Sequence, residues 1–357
     1  MPRDDGTGAD PVAPPPAAAP ALPVVPSPSS RPVASAFPVA GPGALDDLVP
    51  DTVLDGARFG SVAVRAVSQR GDDARQRGDV RGEAFFTARF GAGRDALLLV
   101  AVVVGLCGTG EAAHRAARHA CAWAGDTVGR NSTQLAQDLR TGRHDALKAG
   151  LRRLTDRGYG KLRGRTAEPG AAPYAHPAAL RCLLLPADPD CRTRVFFGVS
   201  GGGLFRLRDG GWEDLEPTVA PAEAYPAPAA YAAQDAADGR SDGLSATAPA
   251  ATAPAVPAPA VPTPAVPHGP DGEAFRSVSF RPAAFRFRTL SGRPGDVLLL
   301  CGTGLAAPLS GDPDFAARLA AAWSVPGPPD LADFLTAVQP RGTGDAEDRT
   351  AVAVWES

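Results

Sequence analysis

The pentapeptide LCGTG occurs twice, at residues 106–110 and 300–304, and each copy directly follows an apolar run. A glycine turn between a strand and a helix can bind phosphate, because the free amides of the helix N-terminus point at the ligand. Neither copy has the lysine of a P-loop, and Gly105, Gly108 and Gly110 lack the GxGxxG spacing of a dinucleotide-binding turn. The residue types alone therefore favour a structural turn, in which glycine permits a sharp bend and cysteine packs as a small apolar side chain.

Histidine, serine and cysteine residues form no recognisable catalytic or metal-binding pattern. His114 and His119 are five positions apart on one predicted helix, so their side chains diverge, and His176 shares no ligand spacing with them. The segment GVSGGG does not match the GxSxG turn of serine hydrolases. The five cysteines include no CxxC pair, and we expect reduced thiols that pack as small hydrophobes.

Charge and hydropathy exclude several classes of protein. A net charge of −3 gives no reason to expect binding to nucleic acid or to an anionic membrane. The longest apolar run, residues 96–107, is well short of the roughly 20 residues that a membrane-spanning helix needs. The N-terminal residues contain no apolar segment typical of a secretion signal. These features predict a cytoplasmic protein that binds neither nucleic acid nor a membrane.

Two Pro/Ala-rich tracts divide the chain. Residues 1–45 and 216–271 contain too few large apolar side chains to offset the entropy of ordering, so both tracts are predicted to be disordered. The remaining sequence, residues 46–357 interrupted by the second tract, is predicted to form one domain.

The elements of this domain follow from alternation, apolar runs and helical spacing. The predicted strands are 61–71, 83–90, 96–104, 178–190, 285–290, 296–302 and 350–357, with a hairpin over 194–215 that turns at Asp209-Gly210. The predicted helices begin at Glu111, at 132 with Ser132 as N-cap and reaching 159, at 312, and near Asp330. Strands at both ends with helix pairs between them favour a layered α+β architecture.

Six short segments are informative through their order along the chain. They are RGEA at 81–84, VVG at 103–105 before a glycine turn and an alanine-rich helix, AAL at 178–180, GVS at 198–200 with RDGGW at 208–212, PGDVLLLCGTGL at 294–305, and EDRTAVAVW at 347–355. The series resembles the metal-dependent protein serine/threonine phosphatases, the PPM-type or protein phosphatase 2C-like family, especially its divergent actinobacterial branch. This resemblance covers nearly all of residues 61–355 outside the Pro/Ala-rich insertion, and it implies a four-layer α/β/β/α sandwich.

The resemblance also implies the positions of a metal site. Enzymes of this family use two divalent cations, Mn²⁺ or Mg²⁺, to activate a water for attack on a phosphoester. Counted along the chain, the resemblance implies that Glu83 takes the place of the family's first metal-binding aspartate and that Asp348 is its last one. Gly105 offers its backbone carbonyl oxygen as a further ligand. Val104 and Thr303 replace the other two aspartates. The first of these positions lies just before one LCGTG copy and the second lies inside the other copy, so the two copies do not align with each other at the metal positions.

Two further positions of the family bear on the site. Val199 stands where the family has an aspartate that supports the metal centre. The phosphate-binding arginine corresponds to Arg77 or Arg81, and both are equally compatible with solvated loop arginines.

These replacements decide the functional prediction. Hard divalent cations need charged oxygen ligands, and Val104 offers no oxygen at the position that bridges both ions. We therefore expect no bound cofactor and a catalytically inactive pseudophosphatase, acting as a regulatory or interaction module for a protein kinase or a phosphoprotein. The alternative is a weak or repurposed metal-dependent phosphatase that holds Mn²⁺ or Mg²⁺ with Glu83, Asp348 and other ligands.

Overall fold

A computed structural model describes residues 37–38, 48–106, 110–166, 178–217, 284–340 and 346–357, with only the backbone of residues 162–166. The predicted disorder of 1–45 and 216–271 falls almost entirely outside the described residues. Glu216, at the start of the predicted insertion, is anchored in the fold, because its carboxylate accepts hydrogen bonds from Arg181 and Arg286.

The described strands form two antiparallel sheets. The strands are β1 (Thr52–Phe59), β2 (Val62–Gln69), β3 (Glu83–Phe90), β4 (Leu97–Gly105), β5 (Ala178–Pro186), β6 (Thr193–Val199), β7 (Gly203–Arg208), β8 (Gly211–Asp214), β9 (Phe285–Ser291), β10 (Val297–Cys301) and β11 (Arg349–Glu356). The first sheet has six strands in the order β1-β2-β11-β10-β7-β8, and the second has five in the order β3-β4-β5-β6-β9.

The helices of the described residues include those that cover the outer face of each sheet. They are α1 (Asp72–Arg77), α2 (Glu111–Arg130), α3 (Ser132–Arg140), α4 (His144–Thr166), α5 (Thr303–Gly311), α6 (Pro313–Trp323) and α7 (Leu331–Ala337). The alanine face of α2, with Ala117 and Ala120, packs with α3 and α4 on the second sheet. Trp323 of α6 and Phe334 of α7 pack with α5 on the first sheet.

A third core lies between the sheets. Val100 and Val102 of β4 meet Val352 and Val354 of β11 there. Side chains of a strand alternate between its two faces, so each buried strand contributes to an inner and an outer core. Three cores separate four layers, and the predicted α/β/β/α sandwich of the α+β class is confirmed.

Two predictions of local structure are wrong. A single helix over 132–159 is interrupted, because Gly142 adopts a left-handed conformation (φ 68°) that ends α3 before α4 begins. The predicted hairpin over 194–215 is divided between the sheets, since β6 belongs to the second sheet and β7 to the first. Ser200 (φ 71°) and Gly202 (φ 125°) turn the chain across the sandwich, and only β7 and β8 form a hairpin.

Strand directions define two ends of the sandwich. β11 runs from Arg349 to Glu356, and Ser68 near the end of β2 pairs with Thr350 at the start of β11. The Ser68 hydroxyl also lies 3.4 Å from the carbonyl oxygen of Glu83, so β3 starts at this same end. We call it the Glu83 end and its opposite the Glu356 end.

Two findings on the described residues bear on the sequence predictions. Cys121, Cys182, Cys191 and Cys301 are free thiols, in agreement with the prediction, while Cys107 lies outside the described residues. No helix in the described ranges is long and apolar enough to cross a membrane.

Candidate functional site

The Glu83 end brings the predicted metal positions together. Glu83 and Val104 are directly opposite each other in the β3–β4 register. Next to them, the Gly105 amide donates to the Gly82 carbonyl at 3.1 Å. A methyl group on Gly105 would lie 2.0 Å from the Ala113 carbonyl oxygen, so only glycine lets β4 end this close to α2.

The Glu83 side chain is buried between the two sheets. Ala84 and Phe86 face the helices, so Glu83 points the other way, towards the first sheet. Its carboxyl group lies against Gly302 at the start of α5, where an added methyl group would be 2.6 Å from Oε1. Gly302 is therefore a glycine because Glu83 takes the space of a side chain.

The surroundings of Glu83 favour its neutral form. Burial raises the pKa of Glu83 well above its usual range, a hydrogen bond from Thr350 lowers the pKa in part, and the nearby charges of Asp348 and Glu347 raise it further. The Glu83 Oε2 atom is buried without a hydrogen-bond partner among the described residues.

Asp348 uses both of its carboxylate oxygens for backbone hydrogen bonds. Oδ1 accepts from the Gly71 amide at 2.7 Å, and Oδ2 accepts from the Gly82 amide at 2.6 Å. These short, charge-assisted bonds hold the segments that precede α1 and β3 against the start of β11. Asp348 thus links two backbone segments.

Thr303 and Glu347 form a second polar pair at the same end. The Thr303 hydroxyl donates to Oε2 of Glu347 at 2.9 Å, and the Glu347 side chain is exposed. The carboxylate beside Thr303 therefore comes from Glu347, which was not predicted as a site residue. Its only signal in the sequence was its place directly before Asp348 in EDRT.

Arg81 is buried and bonded to carbonyl oxygens. Its Nε donates to the Glu83 carbonyl at 2.9 Å, and Nη1 donates to the carbonyls of Ser68 at 2.9 Å and Pro50 at 3.1 Å. Burial lowers the pKa of Arg81 even though Asp348 and Glu83 act in the opposite direction. Through Nε and Nη1 this guanidinium joins strands and loops.

The other candidate arginine, Arg77, lies at the surface. It is about half exposed, and its Nε donates to the Asp79 carboxylate at 2.7 Å. This pairing agrees with a solvated loop arginine, the second interpretation of the sequence.

Val199 and His114 complete the surroundings. Val199 pairs with Leu180 and Phe285 and belongs to the helix-side core, so the position of the supporting aspartate is apolar here. Nδ1 of His114 lies 3.0 Å from the Arg81 carbonyl, and burial lowers the pKa of His114.

The donor set does not fit two divalent cations. Val104 supplies no side-chain oxygen opposite Glu83, Val199 is apolar, and Thr303 offers a hydroxyl in place of a carboxylate. Within the described ranges, no group of three or more His, Cys, Asp and Glu side chains is arranged to hold a metal ion. Paired cations of this kind require several ionised oxygen ligands at once.

No protein-family model and no curated protein matches this sequence. Several solved structures are similar to the chain. A structure of RsbX in complex with magnesium has 10% identity, covers 85% of this chain and 100% of its own, and gives a TM-score of 0.46. PppA, a regulatory component of the type VI secretion system in Pseudomonas aeruginosa, has 18% identity, 84% and 99% coverage and a TM-score of 0.44. The Mycobacterium tuberculosis serine/threonine phosphatase PstP/Ppp has 17% identity, 83% and 99% coverage and a TM-score of 0.43.

Proposed function

We propose that this chain is a catalytically inactive pseudophosphatase, a phosphatase 2C-like sandwich that serves as a regulatory or interaction module. The observation that carries the proposal is Val104, which lies directly opposite Glu83 in the β3–β4 register and supplies no side-chain oxygen where the resembled family has its bridging aspartate. Thr303 and Val199, which replace two further aspartates of that family, support the same conclusion.

The partner class in this proposal rests on the resemblance in sequence alone. Proteins of the resembled family act on phosphorylated serine and threonine, so a protein kinase or a phosphoprotein is the partner we propose. A cytoplasmic location belongs to the same proposal.

Calorimetric titration of Mn²⁺ into the full chain tests the loss of the metal centre. We expect no saturable heat from the parent and no hydrolysis of an aryl phosphate. The double variant Val104→Asp with Thr303→Asp serves as the positive control, because it adds one carboxylate opposite Glu83 and another beside Glu347. Mn²⁺ should stabilise it by about 2.7 kcal/mol at a hundredfold excess over Kd.

A second control corrects for nonspecific binding of Mn²⁺. Val325→Asp adds a carboxylate at a position that is 53% exposed, and it should respond as the parent does. Saturable Mn²⁺ binding by the parent, with turnover that Glu83→Gln or Asp348→Asn abolishes, would overturn the proposal in favour of a weak phosphatase.

A further inference from the structure

Two arginines and one glutamate form a largely buried cluster on the inner face of the second sheet. Leu183 and Leu185 of β5 belong to the core between the sheets, so Arg181 of the same strand points there too. Gly198 of β6 pairs with Arg181 on one side and with Arg286 of β9 on the other. The two arginines therefore flank a residue that has no side chain.

The carboxylate of Glu216 fills the space between these arginines. Nη2 of Arg181 donates to Oε2 of Glu216, and Nη1 of Arg286 donates to Oε1 of the same carboxylate. The Arg181 side chain is only 1% exposed, while the side chains of Glu216 and Arg286 are 20% and 25% exposed. An anion from solvent would therefore reach Arg181 by displacing the Glu216 carboxylate.

The guanidinium of Arg181 keeps a donor that Glu216 does not use. Its Nε is buried without a hydrogen-bond partner among the described residues, and the same holds for Nε of Arg286. Arg194 shows the full use of such a group, because its Nε and Nη2 donate to the two oxygens of Glu356. Glu216 divides its oxygens between two arginines, so neither arginine makes the forked pair of hydrogen bonds that an oxyanion can accept.

The charges of the cluster are also unequal. Two guanidinium groups bind one carboxylate, which leaves an excess of positive charge. A phosphate monoester carries about −1.5 to −2 charges near neutral pH and has three strong acceptor oxygens. Such a group matches the charge and the donors of two arginines better than a carboxylate does.

The surroundings hold Arg181 in place. Its guanidinium carbon lies 5.0 Å from the centre of the Phe196 ring, and a methyl group on Gly202 would lie 2.5 Å from its Cδ. The backbone of Glu216 is held as well, because its amide donates to the Asp214 carboxylate at 2.8 Å. Only the Glu216 side chain has to turn to admit another anion, and the main donor is already oriented.

We propose that Arg181 and Arg286 form a binding site for a phosphoryl group, which the Glu216 carboxylate occupies in this structure. Once Glu216 turns away, Nε and Nη2 of Arg181 bind two phosphate oxygens and Arg286 binds the third. The ligand is free phosphate or a phosphorylated side chain, since both present the same oxyanion. Competition from Glu216 makes the site weak in the parent chain.

This inference goes beyond the proposed function and does not depend on it. Arginines bind an oxyanion without a metal ion, and Arg181, Glu216 and Arg286 are none of the metal positions at the Glu83 end. The Mn²⁺ titration can be repeated on every variant named below. Failure of one proposal can therefore be told from failure of the other.

Calorimetric titration of the full chain with sodium phosphate at constant ionic strength tests the site. Glu216→Gln keeps an acceptor oxygen and removes the competing charge, so it should bind phosphate at least tenfold more tightly than the parent. Acetate, with one charge on two oxygens, should bind to this variant at least tenfold more weakly than phosphate. Glu213→Gln removes the surface partner of Arg206 and should bind phosphate as the parent does.

Two further measurements identify the arginines and the source of the phosphoryl group. Arg286→Gln added to Glu216→Gln should weaken phosphate binding at least tenfold. A phosphoserine peptide is compared with free phosphate and with its own unphosphorylated form. Tighter binding of the phosphopeptide assigns the site to a phosphorylated protein, and tighter binding of free phosphate assigns it to the ion.

The stability of Glu216→Gln provides a second readout, because this variant leaves Arg181 without its counter-charge. A ligand that binds only the folded state stabilises it, so phosphate should raise the unfolding midpoint, or restore folding, where chloride does not. The proposal would be overturned if phosphate neither binds saturably to Glu216→Gln nor stabilises it, or if Arg286→Gln leaves the binding unchanged. The cluster would then be a structural ion triad.

Discussion

Each end of the sandwich buries a glutamate, and the two carboxyl groups are held in opposite ways. Glu83 and Glu356 are both only 4% exposed. At the Glu356 end, Arg194 donates from Nε to Oε1 at 2.6 Å and from Nη2 to Oε2 at 2.7 Å. At the Glu83 end, Arg81 directs its hydrogen bonds to carbonyl oxygens, including that of Glu83 itself.

This difference explains what each end can do. At the Glu356 end an arginine forks around the carboxylate with two charge-assisted hydrogen bonds, and that pair joins β6 of one sheet to β11 of the other. A buried carboxyl group without such a partner must hold a proton or recruit a cation. The Glu356 end is therefore a structural joint. The Glu83 end keeps a buried carboxyl group that has neither an arginine forked around it nor the neighbouring carboxylates that would help it bind a cation.

The largest effect is expected from breaking the pair at the Glu356 end. Glu356→Gln leaves the Arg194 guanidinium buried without its counter-charge, which should cost about 3–5 kcal/mol of unfolding free energy. Urea unfolding followed by tryptophan fluorescence measures the loss, since Trp323 and Trp355 lie in the same core.

Two controls distinguish the buried pair from an exposed one. Glu213→Gln removes the partner of Arg206 at the surface and should cost less than about 1 kcal/mol. The double variant Arg194→Met with Glu356→Met removes both charges and should recover most of the loss. If Glu356→Gln and Glu213→Gln cost the same, the comparison between the two ends fails.

A smaller effect is expected from Asp348 at the Glu83 end. Asp348→Ala leaves the Gly71 and Gly82 amides without their acceptor, and the half-buried position suggests a loss of about 2–3 kcal/mol in the absence of any metal. The adjacent exposed variant Glu347→Ala should cost less than about 0.5 kcal/mol. An Asp348→Ala protein as stable as its parent would show that this carboxylate has another purpose.

Much of the fold could be predicted because its central strands are strongly apolar. The apolar sequences of β4 and β10 predict buried strands, and alanines at helical spacing predict the helix Glu111–Arg130. β1 was not predicted because it is a half-exposed edge strand that contains Asp55 and Gly56. α1 has only six residues, too few to show a helical period.

The site could be predicted only as far as its positions. The order of motifs led to Glu83 and Val104, which the structure places side by side. The hydrogen bonds of Asp348 could not be predicted from the sequence, because its partners Gly71 and Gly82 lie 277 and 266 positions away and contribute only backbone amides. The same holds for Arg81, whose carbonyl partners carry no signal in the sequence.

The last and smallest effect concerns pH at the Glu83 end. Because burial raises the pKa of Glu83 in the folded protein, the unfolded chain releases this proton first as the pH rises. The contribution of Glu83 to stability is therefore complete below its unfolded pKa, near 4.3, and is lost as the pH rises through the folded pKa. Glu83→Gln imitates the neutral acid, so it should match its parent near pH 4 and exceed it at pH 8, within the ~0.5–3 kcal/mol range of ordinary substitutions. Urea midpoints measured across this pH range test the prediction, with the exposed Glu347→Gln expected to follow the parent throughout. If the parent instead becomes more stable relative to Glu83→Gln as the pH rises, Glu83 is ionised and has a cationic partner. That result would remove the contrast with Glu356.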